Sequence, residues 1–169
     1  HGFRRRQRQM CIRDRNYSDL IHKGYVSWNS IENDLKEWLE VIDIEDFGIM
    51  GGEPLLNPEI EQWIIGIRKL LPNSRIRFTT NGLKLHKNFH LVDLMHKLGN
   101  FSFKITAHKN TTELQKTIDK ILKSYDWKPV AEFGIDRLIT TNDFRFHVKS
   151  PSTFYKTFKG SYHDMKPHN

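Results

Sequence analysis

The sequence predicts an α/β fold with a parallel sheet. Amphipathic stripes of helical period alternate with short apolar runs along most of the chain. The helical stripes have the length of βαβ crossovers, which join parallel strands with a right-handed connection. Three of the strand ends run into loops of glycine, asparagine or histidine, placed where parallel α/β architectures bind ligands.

The elements follow in order. Trp28, Ile31, Leu35, Trp38, Leu39 and Ile42 recur at helical spacing, with Ser27 or Ser30 as the cap. Residues 47–50 form a short apolar strand. A second helix starts with Asn57 as cap, Pro58 at its first position, and Glu59 and Glu61 in its first turn. It buries Ile60, Trp63, Ile64, Ile67, Leu70 and Leu71 and stops at Pro72-Asn73. Residues 75–79 are a strand, closed by Thr80-Asn81-Gly82. A third helix over 90–98 turns Leu91, Leu94, Met95 and Leu98 inward. Residues 101–106 are a strand, and Asn110 with Glu113 is the capping pair of the next helix. That helix buries Leu114, Ile118, Ile121, Leu122 and Tyr125. Residues 130–141 and 144–148 are strands, with Thr141-Asn142-Asp143 as the turn between them.

Composition bounds the function classes. A chain of 169 residues fits one ordinary domain with a real core. No apolar run approaches the roughly 20 residues of a membrane helix, and the basic start lacks the apolar stretch of a secretory signal. A soluble cytoplasmic protein without a membrane partner is expected. The net charge of +7 suggests an acidic partner. Arg4, Arg5, Arg6, Arg8, Arg13 and Arg15 lie in the first fifteen residues against Asp14 alone, so the body is close to neutral. Nucleic acid is therefore not the expected partner. Residues 16–150 are read as the folded core, and 151–169 as a linker or tail without periodicity. The single cysteine, Cys11, excludes a disulfide framework and any thiolate metal site within the body. No catalytic side chain and no metal ligand stands out.

Three loops share one rim: Gly51-Gly52-Glu53-Pro54, Thr79-Thr80-Asn81-Gly82 and Thr106-Ala107-His108-Lys109-Asn110. Consecutive strands place them side by side around one pocket. Gly51 and Gly52 let the backbone approach a ligand, and Glu53 offers a charged acceptor to an ammonium group. Pro54 fixes the chain as it leaves the strand. Asn81 and His108 each donate and accept. The bland readings are a simple turn for the Gly-Gly pair, a turn dipeptide for Asn81-Gly82, and a cap or solvated side chain for His108.

The stretch Phe47-Gly48-Ile49-Met50-Gly51-Gly52-Glu53-Pro54-Leu55-Leu56-Asn57-Pro58-Glu59, followed by a helix and Arg77-Phe78-Thr79-Thr80-Asn81-Gly82, resembles the core of radical S-adenosylmethionine (SAM) enzymes. The resemblance implies a partial TIM-like (β/α)6 barrel. Its second and third strands would end at Gly51 and Asn81, and its fourth near His108. It implies SAM as cofactor, with Gly51, Gly52 and Glu53 at the methionine end. It also implies a 4Fe-4S cluster, an electron donor and radical hydrogen abstraction from a substrate that the sequence does not name.

The family's CxxxCxxC loop is expected before Trp28, and no such motif is in the sequence. Met10-Cys11-Ile12-Arg13-Asp14-Arg15 resembles a translated sequencing adapter; a solvated tail and a phosphate-binding arm are the other readings of residues 1–15. The expectation is a core truncated at its N-terminus and inactive as written. The alternatives are a cluster-free SAM- or nucleotide-binding module and a basic nucleic-acid-binding protein.

Overall fold

The computed structural model describes residues 24–107, 111–132 and 135–149. The expected boundaries at 15/16 and 150/151, and Cys11, lie outside them. Helix α1 (Trp28–Leu39) is capped by Ser27, whose hydroxyl accepts from Ser30 N at 3.3 Å. Strand β1 (Asp46–Ile49) leads through a short 3-10 turn, Pro54–Leu56, into α2 (Ile60–Leu70). Strand β2 (Arg75–Thr80), α3 (Phe89–Leu98), β3 (Phe101–Thr106) and α4 (Thr112–Ser124) follow. Strands β4 (Lys128–Glu132), β5 (Ile135–Ile139) and β6 (Arg145–Lys149) complete the order.

The sheet has six strands in the order β1-β2-β3-β6-β5-β4. β1, β2, β3 and β6 are parallel, while β4–β5 and β5–β6 are antiparallel. The architecture is thus mixed α/β with a mostly parallel sheet, consistent with a partial TIM-like barrel. The expected single strand over 130–141 is corrected to two strands, and the all-parallel expectation fails there. The reason is chain length. A parallel neighbour needs a crossover of about a dozen residues. Glu132 already pairs with Ile135, and a tight turn joins Thr140 to Phe144, with Asp143 N donating to Thr140 O at 3.1 Å. Asp143 takes a φ of 52° to make that turn.

Two further expectations shift. The ordered helix α2 begins at Ile60, because Asn57 Oδ1 accepts from Glu59 N at 2.9 Å and caps the preceding turn instead. The cap of α4 is Thr111, whose hydroxyl accepts from Leu114 N at 3.2 Å; Asn110 lies outside the described residues.

Alternation sorts the sheet into two faces. Ile76 and Phe78, Phe101, Phe103 and Ile105, and Phe146 and Val148 are buried on the helix side. Ile64 and Ile67 of α2, Leu91 and Met95 of α3, and Ile118 and Ile121 of α4 join them in one core. Each such side chain contributes about 1.5–3 kcal/mol by leaving water. Trp38, on the expected apolar stripe of α1, is instead 62% exposed. No helix among the described residues is long and apolar enough to cross a membrane.

The amino ends of the strands are held by Arg68. Its guanidinium donates to the carbonyls of Leu71, Pro72, Ser74, Gly99 and Asn100 at 2.8–3.1 Å and lies 5.0 Å from the Phe101 ring centre. Burial pulls its pKa below the usual arginine value. With that end of the sheet fixed, the carboxyl ends are free to carry a site.

Candidate functional site

The carboxyl ends of β1, β2 and β3 are adjacent because the three strands are neighbours in parallel register, with Ile49 opposite Phe78 and Thr80 opposite Ile105. The loops after them form one rim. Gly51, Gly52, Glu53, Pro54 and Asn81 all lie on it. His108 lies outside the described residues. β3 ends at Thr106, and the following Ala107 N donates to Lys149 O at 2.8 Å, which brings the end of β6 to the same rim.

Gly51 and Gly52 are exposed bends. A Cβ built on either meets no atom within 4 Å, and neither has a positive φ. The folded chain itself therefore has no steric or conformational use for glycine at these positions. Gly82 is different. Its φ is 78°, and a Cβ there would lie 2.7 Å from Leu114 Cδ1 and 3.0 Å from Ile105 Cγ2. That glycine serves packing between the second loop, β3 and α4.

Glu53 ties the first two loops together. Its Oε1 accepts from Thr80 Oγ1 at 2.5 Å and from Leu55 N at 3.2 Å, and its Oε2 accepts from Asn81 N at 2.8 Å. Thr80 Oγ1 in turn accepts from Gly82 N at 3.0 Å. A carboxylate has about four acceptor positions, so three of them are used internally. Pro54 is buried at the first position of the 3-10 turn, and Asn57 N donates to its carbonyl at 3.0 Å. Asn81 Oδ1 accepts from Leu83 N at 2.9 Å, so its amide oxygen is engaged within its own loop.

The sequence places Thr80 in a rim loop and Glu59 in the first turn of a helix, but does not show what either side chain binds. Thr80 sits inside a loop segment that was singled out for its neighbour. Glu59 Oε2 accepts from Trp28 N at 2.9 Å, and so caps α1 from another element. Trp63 Nε1 and Asn57 Nδ2 both donate to Val26 O, at 3.1 and 3.4 Å. The exit of the Gly-Gly-Glu-Pro segment thus anchors the chain entering α1. The signal available for Glu59 was only its place two residues after the Asn57 cap.

Among the described residues no group of three or more His, Cys, Asp or Glu side chains could hold a metal ion. A concavity lined by Leu39, Ile44, Leu71 and Ser74 lies at the opposite, amino end of the strands and carries no chemistry related to the rim. The rim offers backbone carbonyls, one amide side chain and a structured carboxylate. That set suits binding of a zwitterion rather than proton transfer or nucleophilic attack.

Comparison with known families matches the model described as the radical SAM superfamily over residues 9–138. No curated protein and no solved structure matches the chain.

Proposed function

The chain belongs to the radical SAM superfamily, and from that premise we propose that Gly51, Gly52 and Asn81 receive the methionine end of SAM. Glu53 and Pro54 hold the rim in shape, and His108 contributes from the third loop. The observation that carries this reading is the pair of glycines that the fold itself does not need. Space above Gly51 and Gly52 lets their carbonyls accept from an ammonium group, and any side chain would fill that space. The Asn81 amide can donate to the carboxylate of the same ligand. One acceptor position of Glu53 remains to add a charge-assisted bond to the ammonium.

The iron–sulfur cluster is a separate question. A 4Fe-4S cluster with an open iron takes three thiolates. The sequence has one cysteine, Cys11. The residues of this chain do not fit the cluster. We therefore read the chain as the SAM-binding part of a radical SAM core. Radical hydrogen abstraction belongs to a protein that also supplies the thiolates, a substrate and an electron donor.

Titrating SAM calorimetrically into the iron-free chain tests the rim, and saturable binding is expected. Anaerobic incubation with iron and sulfide tests the second claim, and neither stoichiometric cluster uptake nor SAM cleavage is expected. Absence of SAM binding would sink the rim assignment. Cluster uptake with cleavage would sink the claim that this chain is inactive.

A further inference from the structure

We infer that the concavity at the amino end of the strands is a docking groove for a basic, apolar segment of a partner polypeptide. The inference is independent of the SAM reading, because this groove lies at the opposite end of the sheet from the Gly51–Asn81 rim.

The groove, about 470 Å³ in volume, runs between the turn that joins α1 to β1 and the turn that joins α2 to β2. Leu39, Ile44, Leu71 and Pro72 give it apolar walls, and Asp43 and Glu45 put two exposed carboxylates on it. The two turns are tied together. Ser74 Oγ donates to Ile44 O, and Arg75 N donates to Glu45 O at 2.9 Å. Arg68 holds the carbonyls of Leu71, Pro72 and Ser74 from behind. The groove therefore exists before anything binds, and little ordering entropy opposes docking.

The apolar surface continues past the groove. Trp38, Val41 and Ile42 are the chain neighbours of Leu39 and Asp43, and they are 62%, 79% and 42% exposed. Large apolar side chains left together in water mark an interaction site, and tryptophan is among the residue types enriched where binding energy concentrates. A small amine would fill the groove and leave these three uncovered. The occupant that covers both is a longer chain.

Charge names the side chains of that occupant. The whole chain carries a net charge of +7. From Glu37 to Glu45 the sign is reversed: Glu37, Glu40, Asp43 and Glu45 are all exposed, and the stretch holds no lysine, arginine or histidine. Asp46, the next residue, is not counted because Arg77 neutralises it. Among the described residues no salt bridge takes up Asp43 or Glu45; Lys36 pairs with Glu32, and the Arg68 guanidinium is engaged by carbonyls. Apolar walls beside exposed carboxylates suit a lysine or arginine, which lays its methylene stem on apolar surface and keeps its charged head in water. Apolar neighbours in the same segment would cover Trp38, Val41 and Ile42. The alternative is an ordinary solvated acidic surface, which has no use for a preformed apolar groove or for an exposed tryptophan at its edge.

The test uses a short synthetic peptide of alternating lysine and leucine, blocked at both ends and carrying a fluorophore, and reads its anisotropy with the full chain. The peptide should bind saturably. The same peptide with glutamate in place of lysine, or serine in place of leucine, should not. Trp38→Ser should weaken binding by about tenfold or more. Asp43→Asn combined with Glu45→Gln should weaken it by about fivefold or more and flatten its salt dependence. Glu113→Gln, at an exposed carboxylate on α4, should change nothing. Circular dichroism checks folding, and if Trp38→Ser fails to fold, Val41→Ser carries the same expectation. No binding, equal binding of the glutamate peptide, or an equal loss in Glu113→Gln overturns the proposal. Sedimentation showing a dimer of the parent chain and a monomer of Trp38→Ser would give this face to a second copy and overturn the partner assignment. Peptide binding seen only after deletion of residues 1–15 would give the groove to the chain's own basic start, with the same consequence.

Discussion

The Glu53 carboxylate accepts the Thr80 hydroxyl at 2.5 Å and so joins the end of β1 to the end of β2. Both of its oxygens also accept backbone N–H groups, from Leu55 and Asn81. Glu53→Gln cannot reproduce this. Whichever way the amide is turned, its NH2 faces a backbone N–H. The variant should lose about 1–3 kcal/mol of stability, the cost of buried donors left without acceptors. Thr80→Val, which strips Gly82 N of its acceptor, should lose about 1–2 kcal/mol by the same argument. Urea midpoints at unchanged slope measure both. A stable Glu53→Gln chain that no longer binds SAM would show that the carboxylate acts on the ligand alone and not on the rim.

The glycines separate binding from folding. The Cβ that Gly51→Val adds meets no atom within 4 Å, so stability should stay within about 0.5 kcal/mol of the parent chain, while SAM affinity falls by about tenfold or more. Gly66→Ala should behave in the opposite way. A Cβ there would lie 2.2 Å from Trp28 Cζ2, so the indole that seats α1 on α2 must move. Overpacking of this kind costs about 1–3 kcal/mol. SAM affinity of the folded Gly66→Ala chain should be retained. Paired calorimetry and denaturation on the two variants check the contrast, and loss of stability in Gly51→Val would refute the reading that its glycine serves a ligand.

How much of this was legible in the sequence depends on range. The parallel βα units over β1, β2 and β3 were, because their apolar periods and cap residues are local signals. Strand β3 is found at its expected limits, 101–106. The hairpin within 128–139 was not, because a continuous run of strand-forming residues does not say where it folds back. Trp38 fits the helical stripe by spacing but lies at 62% exposure, since periodicity marks a face and not what covers it. The site divides in the same way. Gly51, Gly52 and Asn81 are readable from their own loops. The joining of Glu53 to Thr80, and of Glu59 to Trp28, spans tens of residues and depends on register that only the folded sheet supplies.

Arg68 carries the opposite end of the sheet. Five carbonyls from two loops converge on its two terminal nitrogens. A lysine ammonium has three donors on a flexible stem and cannot reproduce a planar fork. Arg68→Lys should therefore cost about 3 kcal/mol or more, nearly as much as Arg68→Met, because both leave buried carbonyls without donors. Denaturant titration of the two variants checks the comparison. If Arg68→Lys were as stable as the parent, the carbonyls would have to be satisfied by another route, and Arg68 would lose its role as the clasp of the strand starts.

Tyr125 gives the fold an alkaline limit. Its hydroxyl donates to Asp93 Oδ1, and its ring stacks on His96 at 4.3 Å between centres. Burial first, then the bond to Asp93 and its charge, push the phenol pKa well above the ordinary value near 10. The sign follows from proton counting. Above pH 10 the unfolded chain releases this proton while the folded chain keeps it, so the folded state binds more protons and stability falls as pH rises. The contribution is fully present below pH 10 and fades above it. Urea midpoints recorded from pH 9 to pH 11 should drop more steeply for the parent chain than for Tyr125→Phe. The phenylalanine variant should be less stable below pH 9, where it lacks the bond to Asp93, and the two curves should approach each other as pH rises. Parallel curves across that range would mean that the phenol ionises as readily in the folded chain as in the unfolded one.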